Sequence, residues 1–120
     1  MSFAAALKLV RPRPCAETDL SDLLSIVVHS LPVDPDHYPE LGKSDVDVDL
    51  FCVRHSALHF AKTAGQLAAV AEDVDHGGTV DKDRIARIAA AGLVNSLKLA
   101  NEVGLTATEV CELVLLKLGR

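Results

Sequence analysis

The residues of this 120-residue sequence whose types and spacing most clearly suit metal binding are two histidines four positions apart. His55 and His59 project from the same side of a predicted helix, a spacing that lets two imidazoles bind one metal ion. The pattern is not HExxH, because Ser56 stands where that motif has its glutamate, and no third ligand is predicted on this face. We therefore expect a hydrogen-bonded or solvent-facing histidine pair.

A second cluster consists of acidic residues on both sides of Gly77 and Gly78. Converging carboxylate oxygens suit a hard divalent cation, although carboxylates at a helix C-terminus oppose the helix dipole. This acidic turn is a candidate metal site as well as a candidate solvated turn. Its residues are Glu72, Asp73, Asp75, Asp81 and Asp83.

The acidic run from Asp45 to Asp49 resembles the first half of an EF-hand loop. Such a loop needs glycine at its sixth position and a bidentate carboxylate at its twelfth, where this chain has Leu50 and Ser56. The run is better interpreted as the first turn of a helix. Because no glycine-rich phosphate loop, nucleophile elbow or Ser/His/Asp pattern is found, we predict no catalytic residue.

Four predicted helices must position these side chains. Helix caps, prolines and glycines place the helices at about 19–30, 45–75, 84–103 and 107–118. The predicted caps are Thr18 or Asp19, Ser44, Thr79 or Asp81, and Thr106 in a capping box with Glu109. Gly104 fits the left-handed position after the third helix.

The apolar pattern predicts which helix faces are buried. In the second helix the apolar residues that recur on one face are Phe51, Leu58, Ala61, Gly65, Ala68 and Ala71. The third helix is apolar around most of its circumference, so it is expected to be central. The chain is predicted to be an all-α four-helix bundle, completed by self-association as a homodimer or homotetramer.

Composition narrows the class of protein. The chain is 49% hydrophobic with 3% aromatic residues, which disfavours an all-β fold. A net charge of −5 provides no general attraction for nucleic acid or anionic lipid, and no apolar run reaches the ~20 residues of a spanning helix. We expect no nucleic-acid or membrane partner.

The positions of the prolines predict the domain boundaries, and the pattern of cysteines predicts the cellular compartment. Residues 1–16 contain Arg11-Pro-Arg-Pro14 and are predicted to be an N-terminal arm, with a single domain over 17–120. The three cysteines form no CxxC pair, so neither disulfides nor a structural zinc site is indicated. Cys52 and Cys111 are expected to be small buried hydrophobes, and the location to be cytoplasmic.

Two segments carry a family resemblance. The stretches from His59 to Ala68 and from Ile88 to Leu105, with the last helix, resemble the MazG-like all-α nucleoside triphosphate pyrophosphohydrolases. The more specific segment is Leu-Ala-Asn-Glu-Val-Gly-Leu, ending at Leu105. The resemblance implies an oligomeric helical bundle related to enzymes that hold Mg²⁺ with an EExxE motif on one helix and ExxD on the next.

The metal carboxylates of that family are absent here. The positions that would hold them carry Lys62, Thr63, Gln66, Ile88 and Ala91, and no acidic residue lies nearby in either segment to restore them by a shift of register. Mg²⁺ requires oxygen ligands, so the resemblance implies that catalysis is lost or reduced. No cofactor is expected unless the acidic turn replaces the missing site.

Three functions are therefore compared. The first is an oligomeric MazG-like nucleotide-binding or interaction module whose pyrophosphohydrolase activity is lost or reduced. Its candidate ligand-binding residues are Lys62, Gln66, His55, His59, Asn95 and Lys98. The second is an active Mg²⁺-dependent pyrophosphohydrolase that uses the acidic turn, and the third is a purely structural or regulatory subunit.

Overall fold

The computed structural model describes residues 19–120, which form four α-helices and no strand. The helices are α1 (Leu20–Ser30), α2 (Val48–Asp75), α3 (Lys82–Glu102) and α4 (Ala107–Lys117), with a short 3-10 helix at Pro39–Gly42. The predicted all-helical class and number of helices are confirmed for this range. The N-terminal arm predicted at residues 1–16 lies outside the described residues.

Side chains cap all four helices. Asp19, Asp81 and Thr106 cap α1, α3 and α4 as predicted, and Thr106 and Glu109 form the expected capping box. The prediction for α2 was wrong, because Asp47 rather than Ser44 is its cap. The Asp47 carboxylate accepts the Leu50 N–H at 3.1 Å, which makes Val48 the first helical residue.

Glycines end α2 and α3. Gly77 has a φ of +89° directly after α2, and a Cβ at Gly78 would lie 2.7 Å from the Asp73 carbonyl oxygen. Gly104 has a φ of +79°, as expected for the left-handed position, and Leu105 N–H donates to the Ala100 carbonyl at 2.9 Å. These turns fix where α3 begins and ends.

Helix α3 is central, as predicted, since it packs against both α2 and α1, while α1 also contacts α4. The buried apolar side chains are few: Val27, Val70, Ile88, Leu97 and Ala100. None of the helices within the described range is long and apolar enough to cross a membrane.

The predicted buried face of α2 was wrong. Phe51 is half-buried, but Leu58 is 69% exposed and the other members of the predicted face, Ala61, Gly65, Ala68 and Ala71, are exposed as well. Helix α2 instead turns Ser56 and Val70 inward. A polar side chain therefore occupies an inward position of α2, while most of the apolar side chains of the predicted face point outward.

Helix α4 is the least covered element. It has no buried residue, and an apolar groove of about 440 Å³ opens between it, the end of α3 and Phe60. The most exposed of its large side chains is Leu116, at 71%. The exposed apolar residues at its C-terminal end are Leu113, Val114, Leu115, Leu116 and Leu118.

Candidate functional site

Two helices bring most of the predicted binding residues together. Helix α2 contributes the adjacent residues His55 and Ser56, followed by His59 and Thr63 at intervals of three or four, so these side chains lie along one broad face. Helix α3 runs beside it and contributes the buried residues Asn95 and Lys98, together with Glu102. We call this contact, with these seven residues, the polar interface.

Asn95 crosses the centre of the polar interface. Its Nδ2 donates to the His59 carbonyl oxygen at 3.2 Å and to Thr63 Oγ1 at 2.9 Å. Both N–H groups of the amide are thus used within the chain, as a buried amide requires. Asn95, predicted as a ligand-binding residue, connects the two helices.

A buried ion pair closes one end of the polar interface. The Glu102 carboxylate accepts Ser56 Oγ–H at 2.6 Å and Lys98 Nζ–H at 3.0 Å. The side chains of Lys98 and Glu102 are only 11% and 6% exposed. Lys98 was predicted to contact a ligand, and here its charge is already neutralised inside the protein.

An aromatic and histidine cluster lies at the outer edge of the same interface. His55 Nε2 is 2.9 Å from the Tyr38 hydroxyl and 3.0 Å from His59 Nε2, and Phe51 stacks on His55. Burial, followed by the charge of His59, lowers the pKa of His55 below the usual value. The histidines are hydrogen-bonded, which is one of the two arrangements expected from their spacing.

A cationic cleft lies where the second half of α2 meets the first half of α3. It has a volume of about 240 Å³ and is lined by Gln66, Arg84, Arg87 and Ile88. Gln66 is one of the predicted ligand-binding residues, and Ile88 is buried. Lys62 is exposed one helical turn before Gln66 and therefore on the same side of α2.

The acidic turn supplies counterions to this cleft. Arg84 Nη1 lies 3.1 Å from Asp73 Oδ2, and Arg87 pairs with Asp83. Asp81 is occupied as the cap of α3.

Glu72, Asp73, Asp75, Asp81 and Asp83 are not gathered around one point. Glu72 and Asp75 are exposed, and Glu72 lies 3.8 Å from His76. Across the described part of the chain, no group of three or more His, Cys, Asp and Glu side chains is positioned to hold a metal ion.

The two cysteines in the described range differ from each other. Cys52 is half-buried one turn before Ser56, and burial, followed by the negative charge of Glu102, raises the pKa of its thiol. Cys111 is exposed on α4, so the expectation that it would be buried was wrong. It lies on the surface of α4 that residues 19–120 leave uncovered.

Comparison with protein-family models, with curated proteins and with solved structures finds no match to this chain. The candidate sites therefore depend on their own geometry.

Sequence reasoning missed Tyr38, Glu102, Arg84 and Arg87 as members of these sites. No periodic signal connects Tyr38 with His55, 17 residues away. The arginines resemble ordinary surface charges in the sequence.

Proposed function

We propose that this protein is a MazG-like helical module that binds a nucleotide or another polyphosphate compound without hydrolysing it, and that it acts as a homo-oligomer. The observation that carries the proposal is the cleft lined by Gln66, Arg84 and Arg87. Two guanidinium groups and an amide supply hydrogen-bond donors at the point where related enzymes would hold Mg²⁺.

The chemistry of the cleft favours phosphate. Guanidinium groups make bidentate hydrogen bonds to phosphate oxygens, and Lys62 adds a positive charge on the same side of α2. The present partners of the arginines, Asp73 and Asp83, are exposed, and exposed ion pairs contribute only about 0–1 kcal/mol. A phosphate chain carrying several charges can therefore replace them.

The size of the cleft indicates which part of a nucleotide enters. Pockets that enclose whole drug-sized ligands have volumes of roughly 300–1,000 Å³. The cleft, at about 240 Å³, is smaller. We therefore expect the cleft to hold the phosphate chain while the nucleoside remains largely outside. Inorganic triphosphate should then bind about as tightly as a nucleoside triphosphate.

The absence of hydrolysis follows from the same positions. Thr63 is hydrogen-bonded to Asn95, Ile88 is buried, and Gln66 is a neutral amide, so none of them offers a carboxylate to Mg²⁺. Cationic side chains can neutralise the charge of a bound phosphate. They do not activate the water that a metal-dependent pyrophosphohydrolase needs.

Ligand-induced stabilisation tests the binding. Inorganic triphosphate or ATP at about 100 times its Kd should stabilise the folded protein by about 2.7 kcal/mol, measured as a thermal shift. Arg84→Gln and Arg87→Gln should each reduce this shift. The matched control is Arg54→Gln, an exposed arginine twelve residues before Gln66 on α2. A shift that falls equally in the control, or no shift at all, contradicts the proposal.

A separate assay tests the lack of catalysis. Purified protein with Mg²⁺ and a panel of nucleoside triphosphates should release no pyrophosphate. If it does release pyrophosphate, and Glu72→Ala or Asp73→Ala abolishes the activity, then the acidic turn is a metal site and the protein is an enzyme.

The second part of the proposal, self-association, rests on the uncovered apolar surface. An isolated 11-residue helix is marginal in water, and α4 has no residue that the rest of the described range buries. A second copy is the occupant we propose, since most soluble oligomers are symmetric homo-oligomers. In such an assembly α4 of each copy covers the apolar groove of the other. Sedimentation at micromolar concentration should show a dimer or tetramer, and a strict monomer would refute this part.

A further inference from the structure

The aromatic and histidine cluster has an unusual hydrogen-bonding geometry that the proposed function does not use. Three polar atoms form a connected group in which His55 Nε2 contacts both the Tyr38 hydroxyl oxygen and His59 Nε2. His55 Nε2 lies within 3.0 Å of the other two atoms. An imidazole nitrogen carries either one hydrogen or one lone pair, so it makes one good hydrogen bond. Without a further ligand, the Tyr38 hydroxyl and His59 Nε2 must therefore compete for the one hydrogen-bonding position of His55 Nε2.

We propose that His55, His59 and Tyr38 form a binding site for a divalent transition-metal ion of the zinc class. Zn²⁺ binds imidazole nitrogens at about 2.0–2.1 Å, which places two nitrogens of a tetrahedral site about 3.3 Å apart. The two Nε2 atoms are 3.0 Å apart, so an increase of a few tenths of an ångström admits the ion.

Spacing along the chain supports the same assignment. Histidines at positions i and i+4 of a helix direct their rings to one point, and the rings of His55 and His59 meet at 71° with centroids 4.6 Å apart. The Tyr38 hydroxyl oxygen either coordinates the ion directly or hydrogen-bonds to a water molecule that is bound to the ion. Tyrosine completes a set of three that His, Cys, Asp and Glu alone do not form here.

The surroundings hold the ligands in place. Phe51 stacks on the His55 ring at 11°, and the Tyr38 ring packs edge-on against both Phe51 and His55. This packing limits ring rotation, as supporting groups do around metal ligands.

Nearby charges neither repel nor strongly attract a cation. Glu40, in the 3-10 helix that follows Tyr38, and Glu102 both exert a negative field on His55, whereas Lys98 exerts a positive one. Lys98 is paired with Glu102, so these two fields largely cancel. Glu40 remains as the other negative group that acts on His55, and water supplies the fourth ligand.

Metal titration without nucleotide tests this site independently of the phosphate cleft. Metal-free, full-length protein is titrated with Co²⁺ while the visible absorption bands of tetrahedral cobalt are recorded, and Zn²⁺ is then added as a competitor. We expect one equivalent to bind. His59→Gln and His55→Gln should each weaken binding by at least ~10-fold, and Tyr38→Phe by less.

His76→Gln is the matched control, because this exposed histidine follows the last residue of the same helix. It should leave the cobalt spectrum and the affinity unchanged. Circular dichroism of each variant separates loss of ligand from loss of fold, and Tyr38→Phe keeps the packed ring. No saturable binding by the folded wild-type protein, or equal weakening in His76→Gln and His59→Gln, would overturn the proposal.

Discussion

The polar interface and the surface of α4 distribute polar and apolar groups in opposite ways. In the polar interface, Asn95, Lys98 and Ser56 are buried, and each is hydrogen-bonded to the other helix or to Glu102. On the second half of α4, the apolar residues from Leu113 to Leu116 are about half or more exposed. A single chain would be expected to do the reverse.

The contrast shows that residues 19–120 bury only a small apolar core among themselves. The described residues hide only five apolar side chains, and hydrophobic burial is the main favourable term in folding. Among the described residues, polar groups specify how the helices pair, while much of the apolar surface is exposed. This exposed surface is the one that we propose a second copy covers.

The largest effect is expected for a charge on α4. Leu116→Glu places an unpaired carboxylate on the surface that we assign to self-association, which should weaken association by about 100-fold or more. Sedimentation velocity at constant protein concentration measures the change. Thr108→Glu adds the same charge to an exposed position in the first turn of α4 and should preserve the assembly. If both variants behave like the wild type, α4 is not the interface.

The second effect concerns the buried ion pair. Glu102→Ala leaves the Lys98 charge buried without a partner and removes the acceptor of Ser56, so the free energy of unfolding should fall by about 3–5 kcal/mol. Urea denaturation measures it. Glu112→Ala, at an exposed glutamate of α4, should change stability by less than about 0.5 kcal/mol. Similar losses in both variants would mean that the polar interface is not closed in solution.

A smaller decrease in the free energy of unfolding is expected for Asn95→Ala. The variant leaves Thr63 and the His59 carbonyl without their partner, which should cost about 1–3 kcal/mol in urea denaturation. Asn101, an exposed asparagine on the same helix, provides the matched control, and Asn101→Ala should be close to neutral. Equal effects in the two variants would show that the Asn95 bonds contribute nothing specific.

The smallest effect is a pH dependence from His55. Its pKa is lowered in the folded state, mainly by burial, so the unfolded chain takes up protons first as the pH falls. Stability should be full above about pH 6.5, the usual histidine pKa, and should fall below it. Thermal unfolding from pH 7.5 to 5 in metal-free buffer measures the slope, which His55→Gln should reduce. An unchanged slope in that variant would assign the dependence to other groups.

Local signals in the sequence predicted the helices well. Three of the four helix caps and the end of α3 at Gly104 are set by interactions among residues only a few positions apart, which a sequence displays directly. Ser44 failed because a second capping residue, Asp47, followed it closely. Competition between two nearby caps depends on how the preceding loop packs.

Burial was predicted less well. The periodicity argument assigns the apolar face of a helix to the core of its own chain, and α2 places Leu58 outside and Ser56 inside. The contacts of Glu102 with Ser56 and of Tyr38 with His55 join residues 46 and 17 positions apart. Such pairs carry no periodic signature in a single sequence, so the sites they form required the three-dimensional structure.

The polar interface also fixes the sliding register of α2 against α3. Ser56 and Thr63 are seven residues apart, as are their partners Glu102 and Asn95, so the two contacts are separated by one heptad on each antiparallel helix. A slip by one helical turn, about 5.4 Å, would break both contacts together. Apolar side chains tolerate such a slip far better, because any apolar neighbour suits them. Several registers of α2 against α3 would bury similar apolar groups, but only one of them satisfies both polar pairs. The polar pairs therefore select that register.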